Sequence, residues 1–114
     1  LCTTESDIFL ARVVEYINNN LTTGKLTVED MSDALCMSVS TFRRRMLTIT
    51  KGSPKAFINT IRINKAKELL SSSSLPVNEI ATRCGYKEAN SFIRAFQRDT
   101  GISPAKWREK NKQR

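Results

Sequence analysis

The chain has 114 residues, 39% of them hydrophobic, and its 19 lysines and arginines against 11 acidic residues give a net charge of +8. This length suits one domain, or two very small ones that share an element, with enough apolar residues for a core but no run long enough to cross a membrane. The basic excess favours a polyanionic partner, nucleic acid first and an acidic membrane surface second.

Histidine is absent from the sequence, which removes the usual general base, the commonest metal ligand and the usual pH switch. The sequence also has no glycine-rich phosphate loop, and its acidic residues near helix N-termini suit the helix dipole. The three cysteines, Cys2, Cys36 and Cys84, are widely spaced and form no CxxC pair, which favours reduced thiols over disulfides or a zinc site. We therefore expect no enzyme, no catalytic residue, no cofactor and no metal.

Helical periodicity dominates the chain, and no segment reads convincingly as a strand. The predicted helices, in chain order, are 5–21, 27–35, 40–50, 54 to about 70, 76–84, 89–100 and 104 through 107. The first carries a stripe of apolar residues at helical spacing: Ile8, Phe9, Val13, Ile17 and Leu21. Pro54 and Pro104 each follow a serine at a helix start, where proline is tolerated. The four serines at 71–74 are expected to form a turn.

The sequence contains an internal repeat. Its period is 49 residues for the first pair of motifs and 50 for the next two, because the second copy has one inserted residue. Three pairs of motifs carry it: VEDM at 28–31 with VNEI at 77–80, FRRRM at 42–46 with FIRAF at 92–96, and TKGSP at 50–54 with TGISP at 100–104. Each copy is a short helix, a tight turn, a second helix and a Ser-Pro-capped helix. A short helix, a tight turn and a second helix make a helix-turn-helix, whose second helix enters the major groove of DNA.

The two helices of such a unit must pack closely, which requires a small residue on the first helix. Ala81 meets this requirement, and Ser32 meets it less typically. The turn also favours a residue that tolerates a positive φ angle. Gly85 fits this position in the second copy, whereas Cys36 does not obviously fit it in the first.

The phase of each second helix indicates which side chains face outward, at about 100° per residue. In the first copy Phe42, Met46 and Ile49 share the core face. Ser40 and Arg44 point nearly opposite, with Arg43 and Leu47 on one flank and Arg45 close to the core edge. In the second copy Phe92, Phe96 and Asp99 line up, while Asn90, Arg94 and Gln97 point away. Arginine can bind guanine through two hydrogen bonds, and asparagine or glutamine can bind adenine in the same way.

With these motifs in place, the sequence resembles the AraC/XylS transcriptional regulators from about residue 27 to 108. VNEIATRCGYKEANSFIRAFQRDTGISPAKWR is similar to the family signature, and MSVSTFRRRM followed by SPKAFINTIRINKAKELL resembles the first copy. The signature positions are Gly85, Phe92, Arg94, Phe96, Gly101, Ser103, Pro104 and Arg108. The resemblance implies an all-α fold with two helix-turn-helix subdomains joined by a long central helix. It also implies sequence-specific double-stranded DNA binding in transcription regulation, with both recognition helices in adjacent major grooves.

We expect four segments: an N-terminal helix at 1–24 that packs on the first subdomain, a first helix-turn-helix at 25–53, a linking helix at 54–72, and a second helix-turn-helix with a C-terminal helix at 73–114. By position, the family's base contacts fall on Ser40, Arg43, Arg44, Asn90, Ser91 and Arg94, with Ala89 at the edge. The expected phosphate contacts are Arg45, Lys51, Lys55, Lys87, Gln97 and Arg98. Arg45 is alternatively a packing residue, with its charged end in water. The first copy departs from the pattern at Cys36 and Lys51, where glycine is usual.

The opening DIFLARVVEYINNNL resembles the segment that precedes this domain in hybrid two-component regulators of the family. In those proteins the domain forms the C-terminal end of a membrane sensor kinase. The alternatives are a soluble regulator with a ligand-binding domain and a small stand-alone activator. The first residue, Leu1, is not Met, which favours a segment of a longer protein.

The expected partners are double-stranded DNA, RNA polymerase and an N-terminal sensor or regulatory domain, and we expect the domain alone to be monomeric. The expected location is the cytoplasm, or the cytoplasmic face of the inner membrane in a hybrid sensor. The alternative function is a basic helical RNA-binding or protein-interaction module. It is less favoured because RNA readers offer exposed aromatic side chains for stacking, and here the aromatic residues fall mostly on core faces.

Overall fold

The computed structural model describes residues 4–111, and within them it contains seven α-helices and no strand. The helices are α1 (Glu5–Asn19), α2 (Val28–Ala34), α3 (Val39–Thr50), α4 (Pro54–Ser72), α5 (Val77–Arg83), α6 (Ala89–Thr100) and α7 (Pro104–Asn111). Two helix pairs joined by tight turns, α2–α3 and α5–α6, are linked along the chain by the long helix α4. The predicted all-α fold is therefore confirmed. Cys2 lies outside the described residues.

The chain divides into two compact units, Leu1–Ile61 and Arg62–Arg114, and the division falls inside α4. Each unit buries its own apolar cluster. The residues of this cluster in the first unit are Phe9, Val13, Ile17, Leu21, Met31, Leu35, Phe42, Met46 and Ile58. Those of the second unit are Ile63, Ala66, Leu70, Ile80, Ala81, Cys84, Phe92 and Phe96.

Helix α1 begins with a complete capping box. The Thr4 hydroxyl accepts a hydrogen bond from the Asp7 backbone N–H at 3.1 Å, and the Asp7 carboxylate accepts one from the Thr4 N–H at 3.2 Å. Four residues of the predicted apolar stripe are buried, but Ile8 is 51% exposed. Ile8 precedes Phe9 by one residue, which turns its side chain by about 100° from the buried line.

The turn of each helix-turn-helix is built in the same way. The backbone N–H of Cys36 donates to the carbonyl of Asp33, and that of Gly85 donates to the carbonyl of Thr82, both at 3.0 Å. Both turn residues have positive φ angles, +58° at Cys36 and +94° at Gly85. Cys36 therefore adopts the left-handed conformation in which glycine is favoured. The turn of the first copy is retained despite the missing glycine.

The small residues predicted at the helix pair are both buried. Ser32 and Ala81 are 3% and 1% exposed. The hydroxyl of Ser32 donates to the carbonyl of Glu29 at 3.0 Å, so this buried polar group has a hydrogen-bond partner. The requirement for a small residue between the two helices is therefore met in both copies.

The second helix of each unit also ends in the same way. Lys51 after α3 and Gly101 after α6 are left-handed, with φ angles of +62° and +85°. The hydroxyl of Thr50 donates to the Met46 carbonyl at 2.7 Å, as the hydroxyl of Thr100 does to the Phe96 carbonyl at 2.8 Å. The end of α3 therefore has lysine where glycine is usual, but its backbone keeps the left-handed conformation.

Helices α4 and α7 begin at the predicted Ser-Pro pairs. The hydroxyl of Ser53 accepts from the Ala56 N–H at 3.1 Å, and that of Ser103 accepts from the Lys106 N–H at 3.3 Å. Both serines are therefore N-caps. Within residues 4–111, none of the helices has the length and apolar character needed to span a membrane.

The end of α4 differs from the prediction, because the helix continues to Ser72 and the first two of the four serines are helical. The hydroxyl of Ser72 donates to the Glu68 carbonyl four residues earlier at 2.6 Å. The guanidinium of Arg108 then donates to the carbonyls of Leu70 at 3.1 Å and Leu75 at 2.6 Å. Arg108 thus ties α7 to the end of α4 and to the loop before α5.

Candidate nucleic-acid interface

Helix α3 is fixed in rotation by its apolar residues. Phe42 and Met46 are fully buried. The hydroxyl of Ser38 caps the helix by accepting from the Thr41 N–H at 3.2 Å. With the helix held in this way, three predicted base contacts are exposed on its outer side: Ser40, Arg43 and Arg44. The predicted core face of α3 is confirmed.

Arg45 differs from its two neighbours in the arginine run. Its side chain is 31% exposed, and its guanidinium lies over the ring of Phe9 and 4.0 Å from the carboxylate of Glu5. The prediction that Arg45 lies near the core edge agrees with this position. Because the guanidinium still reaches the surface, a contact with phosphate remains a prediction for this residue.

Helix α6 repeats the arrangement of α3. Phe92 and Phe96 are fully buried. The predicted base contacts are exposed, and so are two residues predicted to contact phosphate: Asn90, Ser91, Arg94, Gln97 and Arg98. The N-cap position is Glu88, whose side chain makes no capping hydrogen bond. Helices α3 and α6 therefore share their rotational phase and differ at their N-terminal caps.

The remaining predicted phosphate contacts lie close to α3 and α6 along the chain. Lys51 follows α3, Lys55 lies in the first turn of α4, and Lys87 lies in the turn before α6, and all three are exposed. In the part of the chain that the structure describes, the ion pairs are Arg45–Glu5, Lys67–Asp99 and Arg83–Glu79. Among residues 4–111, the lysines and arginines of the candidate interface other than Arg45 thus form no ion pair with an acidic side chain.

The aromatic residues are engaged in the two cores. Ring pairs at 5.4 to 6.1 Å between centroids join Phe9 with Phe42, Tyr86 with Phe92, Phe92 with Phe96, and Phe96 with Trp107. Trp107 is partly buried and packs against the buried cluster of the second unit. Burial raises the pKa of the Tyr86 hydroxyl. This packing leaves these rings poorly placed to stack on the bases of a single-stranded RNA.

The thiols and acids of residues 4–111 form no cluster suited to a metal ion. Cys36 is exposed and Cys84 is buried, and burial raises the pKa of the Cys84 thiol to about 11. Between residues 4 and 111, no group of three or more His, Cys, Asp or Glu side chains could hold a metal ion.

Two residues, Leu47 and Arg108, received no role from the sequence. Leu47 was placed on the flank of α3, and it is 60% exposed. The signal that could have identified it is its spacing from Ser40, Arg43 and Arg44, which it follows at seven, four and three residues. Arg108 was noted only as a signature position, because its hydrogen bonds reach residues more than 30 positions away.

Comparison with known proteins identifies the family. A model of a helix-turn-helix domain family matches residues 31–110. The transcriptional regulator AlkR of Acinetobacter baylyi is 34% identical over 85 residues, which cover 75% of this chain and 28% of AlkR. The chain therefore spans under a third of the length of this relative.

Solved structures agree with the family match. The C-terminal domain of AraT, a response regulator from Geobacillus stearothermophilus, superposes with a TM-score of 0.84 at 29% identity and covers 97% of this chain and 92% of that domain. The DNA-binding domain of the global transcriptional factor AdpA, solved in complex with a target DNA, gives a TM-score of 0.78 at 34% identity, with 89% and 90% covered. The chain therefore belongs to the AraC-type family of helix-turn-helix domains, which are DNA-binding domains of transcription regulators and not enzymes.

Proposed function

We propose that α3 and α6 are recognition helices that enter adjacent major grooves of one double-stranded DNA site. The observation that carries the proposal is that each helix has the same rotational phase relative to its own buried core. Arg44 and Arg94 are exposed at equivalent positions, on the sides opposite the buried Phe42 and Phe92. The net charge of +8 favours the polyanion, and the similarity to the DNA-bound domain of AdpA supports this mode.

The base contacts divide by chemistry between the two helices. Arg43 and Arg44 of α3, and Arg94 of α6, each offer a planar guanidinium that can donate two hydrogen bonds to O6 and N7 of guanine. Asn90 offers an amide that can pair with adenine in the same way. Ser40 and Ser91 add hydroxyls that fit either kind of base.

The second set of groups binds the DNA backbone and positions the protein without reading sequence. It comprises Arg45, Lys51, Lys55, Lys87, Gln97 and Arg98. Because each cationic contact releases counterions from DNA, this set makes affinity depend on salt. In functional terms, 25–53 and 73–114 act as the two reading segments, 54–72 links them, and 1–24 packs on the first.

A site of this kind contains two half-sites in direct, non-palindromic orientation, about one helical turn or 34 Å apart. Selection of bound duplexes from a random library tests the proposal. The expected result is a motif with two conserved blocks about 10 base pairs apart, each protected in one major groove in a footprint. Failure to enrich any motif, or protection confined to a single groove segment, would overturn it.

Variants of the two repeated arginines make the experiment specific. Arg44→Ala is expected to relax the selected sequence in one block only, and Arg94→Ala in the other only. Thr82→Ala is a matched control, since Thr82 is exposed on α5 and outside the proposed interface. Relaxation of both blocks by either arginine variant would contradict the assignment of one block to each helix.

We also propose a place for this domain in a longer chain, a protein partner and an oligomeric state. The similarity to the C-terminal domain of the response regulator AraT supports a place after a regulatory domain in a longer chain. We propose a hybrid sensor at the inner membrane as one form of such a chain. We propose that the DNA-bound domain contacts RNA polymerase in the cytoplasm and that the domain alone is monomeric. Sedimentation of this chain should give one species of 12.9 kDa, and a stable dimer would contradict the monomer.

A further inference from the structure

The exposed face of α3 contains an apolar side chain among its polar ones. Leu47 is 60% exposed, and among residues 4–111 it and Ile8 are the large hydrophobic side chains that stand in solvent. Ser40, Arg43, Arg44 and Leu47 follow the spacing of one helical face. Measured from the buried Phe42, Leu47 lies about 140° around the helix, between Arg43 at about 100° and Arg44 at about 200°. Leu47 therefore lies within the arc of proposed base readers.

A leucine at this place cannot bond to a phosphate or to the polar edge of a base. The apolar group that a standard base pair presents in the major groove is the 5-methyl group of thymine. Burying an exposed leucine against that methyl group removes both from water, which favours binding. We propose that Leu47 is a specificity-determining residue that contacts a thymine methyl group beside the base read by Arg43 or Arg44. This inference rests on the proposed function.

The second copy provides an internal contrast. The residue equivalent to Leu47 is Gln97 of α6, which is also exposed but polar. Gln97 can form hydrogen bonds with a phosphate or a base edge, but it cannot form one with a methyl group. A preference for the thymine methyl is therefore expected in the half-site of α3 and not at the equivalent step of the half-site of α6.

Removing the methyl group from the DNA tests the proposal without changing a hydrogen bond. The probe is the best duplex selected by this chain from a random library, with each thymine of the two half-sites replaced in turn by deoxyuridine. For the wild type, one replacement in the α3 half-site is expected to weaken binding about fourfold, the value for one methyl group taken out of water. Leu47→Ala is expected to bind the thymine duplex more weakly and to show no further loss with deoxyuridine at that step.

Ile8→Ala is the matched control, because it removes a comparably exposed apolar side chain from α1, outside the interface. It should bind like the wild type and keep the fourfold response to deoxyuridine. If no sequence is enriched, the proposed function itself fails and the inference with it. If a site is enriched but no thymine responds, or if Leu47→Ala responds to deoxyuridine as the wild type does, the inference alone is overturned.

Discussion

The guanidinium of Arg45 lies over the ring of Phe9, with its central carbon 4.6 Å from the ring centroid. Its neighbour Arg44 is exposed and has no acidic partner in the described part of the chain. One step along a helix turns a side chain by about 100°, which suffices to place two consecutive arginines in different environments. The arginine run at 43–45 therefore has two kinds of members, and they should respond differently to substitution.

Arg45→Ala should lower the free energy of unfolding by about 1 kcal/mol, since it removes a cation–π contact and the packing of the side-chain stem on Phe9. Arg44→Ala, at an exposed position, should change it by less than about 0.5 kcal/mol. Urea denaturation followed by circular dichroism measures both values. Equal effects from the two variants would show that the contact between Arg45 and Phe9 adds nothing to stability.

Arg108→Ala should destabilise the second unit by about 2 kcal/mol, because it removes two charge-assisted hydrogen bonds to the carbonyls of Leu70 and Leu75. The fluorescence of Trp107, the only tryptophan of the chain, reports the unfolding of this unit. Arg108→Lys is the matched variant, since it keeps the charge and loses the forked geometry. It should recover less than half of the loss, and full recovery would indicate that charge alone accounts for the effect.

The helix ends at Lys51 and Gly101 allow a reciprocal test of the left-handed backbone. Gly101→Ala should cost about 1 kcal/mol or more, and the cost comes from the backbone because an added Cβ has no atom within 4 Å. Lys51→Gly should stabilise the chain by less than about 1 kcal/mol, since relief of strain is partly offset by the freedom of glycine in the unfolded state. Thermal melting of both variants checks the signs. Destabilisation by both would show that the position of Lys51 is not strained.

The buried thiol of Cys84 makes stability fall at alkaline pH. Its pKa is raised to about 11 by burial, so the folded state keeps its proton where the unfolded thiol, with a usual value of 9.0, loses it. The contribution is complete below pH 9 and is lost as the pH rises towards 11. At pH 10 the loss should be about 1 kcal/mol relative to pH 8. Cys84→Ala should be less stable at every pH from 8 to 10, but its free energy of unfolding should lack this fall with pH. An unchanged fall in Cys84→Ala would contradict the assignment to the Cys84 thiol.

Much of the fold followed from the sequence because the repeat fixed the order of elements twice. Phe42 and Phe92 set the phase of their helices, and their burial agrees with the helical wheel. The exposure of Arg44 and Arg94 then follows from that phase. The predictions that were wrong concern positions where the local sequence pattern and the long-range contacts favour different structures. Ile8 matched the helical spacing but lies beyond the edge of the buried face.

The remaining differences have separate physical causes. The serines at 71 and 72 were expected to break α4, yet serine hydroxyls can bond to carbonyls four residues earlier and so extend a helix end. The left-handed Cys36 could not be read from a residue type that rarely adopts this conformation. The hydrogen bonds of Arg108 depend on the packing of α7 and leave no local pattern in the sequence.

The main functional proposal is that the exposed face of α3 reads bases while the flanking cations bind the DNA backbone. It is tested by titrating Arg44→Ala, Arg45→Ala and Lys55→Ala against the selected duplex and a scrambled one over a range of salt concentrations. Arg44→Ala should lose about 1–3 kcal/mol on the selected duplex and little on the scrambled one. Lys55→Ala should weaken both duplexes alike and reduce the salt slope by about one unit.

Arg45→Ala should keep the preference for the selected duplex, and Arg43→Ala should fall between Arg44→Ala and Arg45→Ala, because Arg43 lies on the flank of the outer face. The most direct single measurement is therefore the ratio of affinities for selected and scrambled DNA in Arg44→Ala and Arg45→Ala at one fixed salt concentration. We expect this ratio to fall to near one in Arg44→Ala and to stay close to the wild-type value in Arg45→Ala. The reverse result, or equal loss of discrimination in Arg44→Ala and Lys55→Ala, would contradict it.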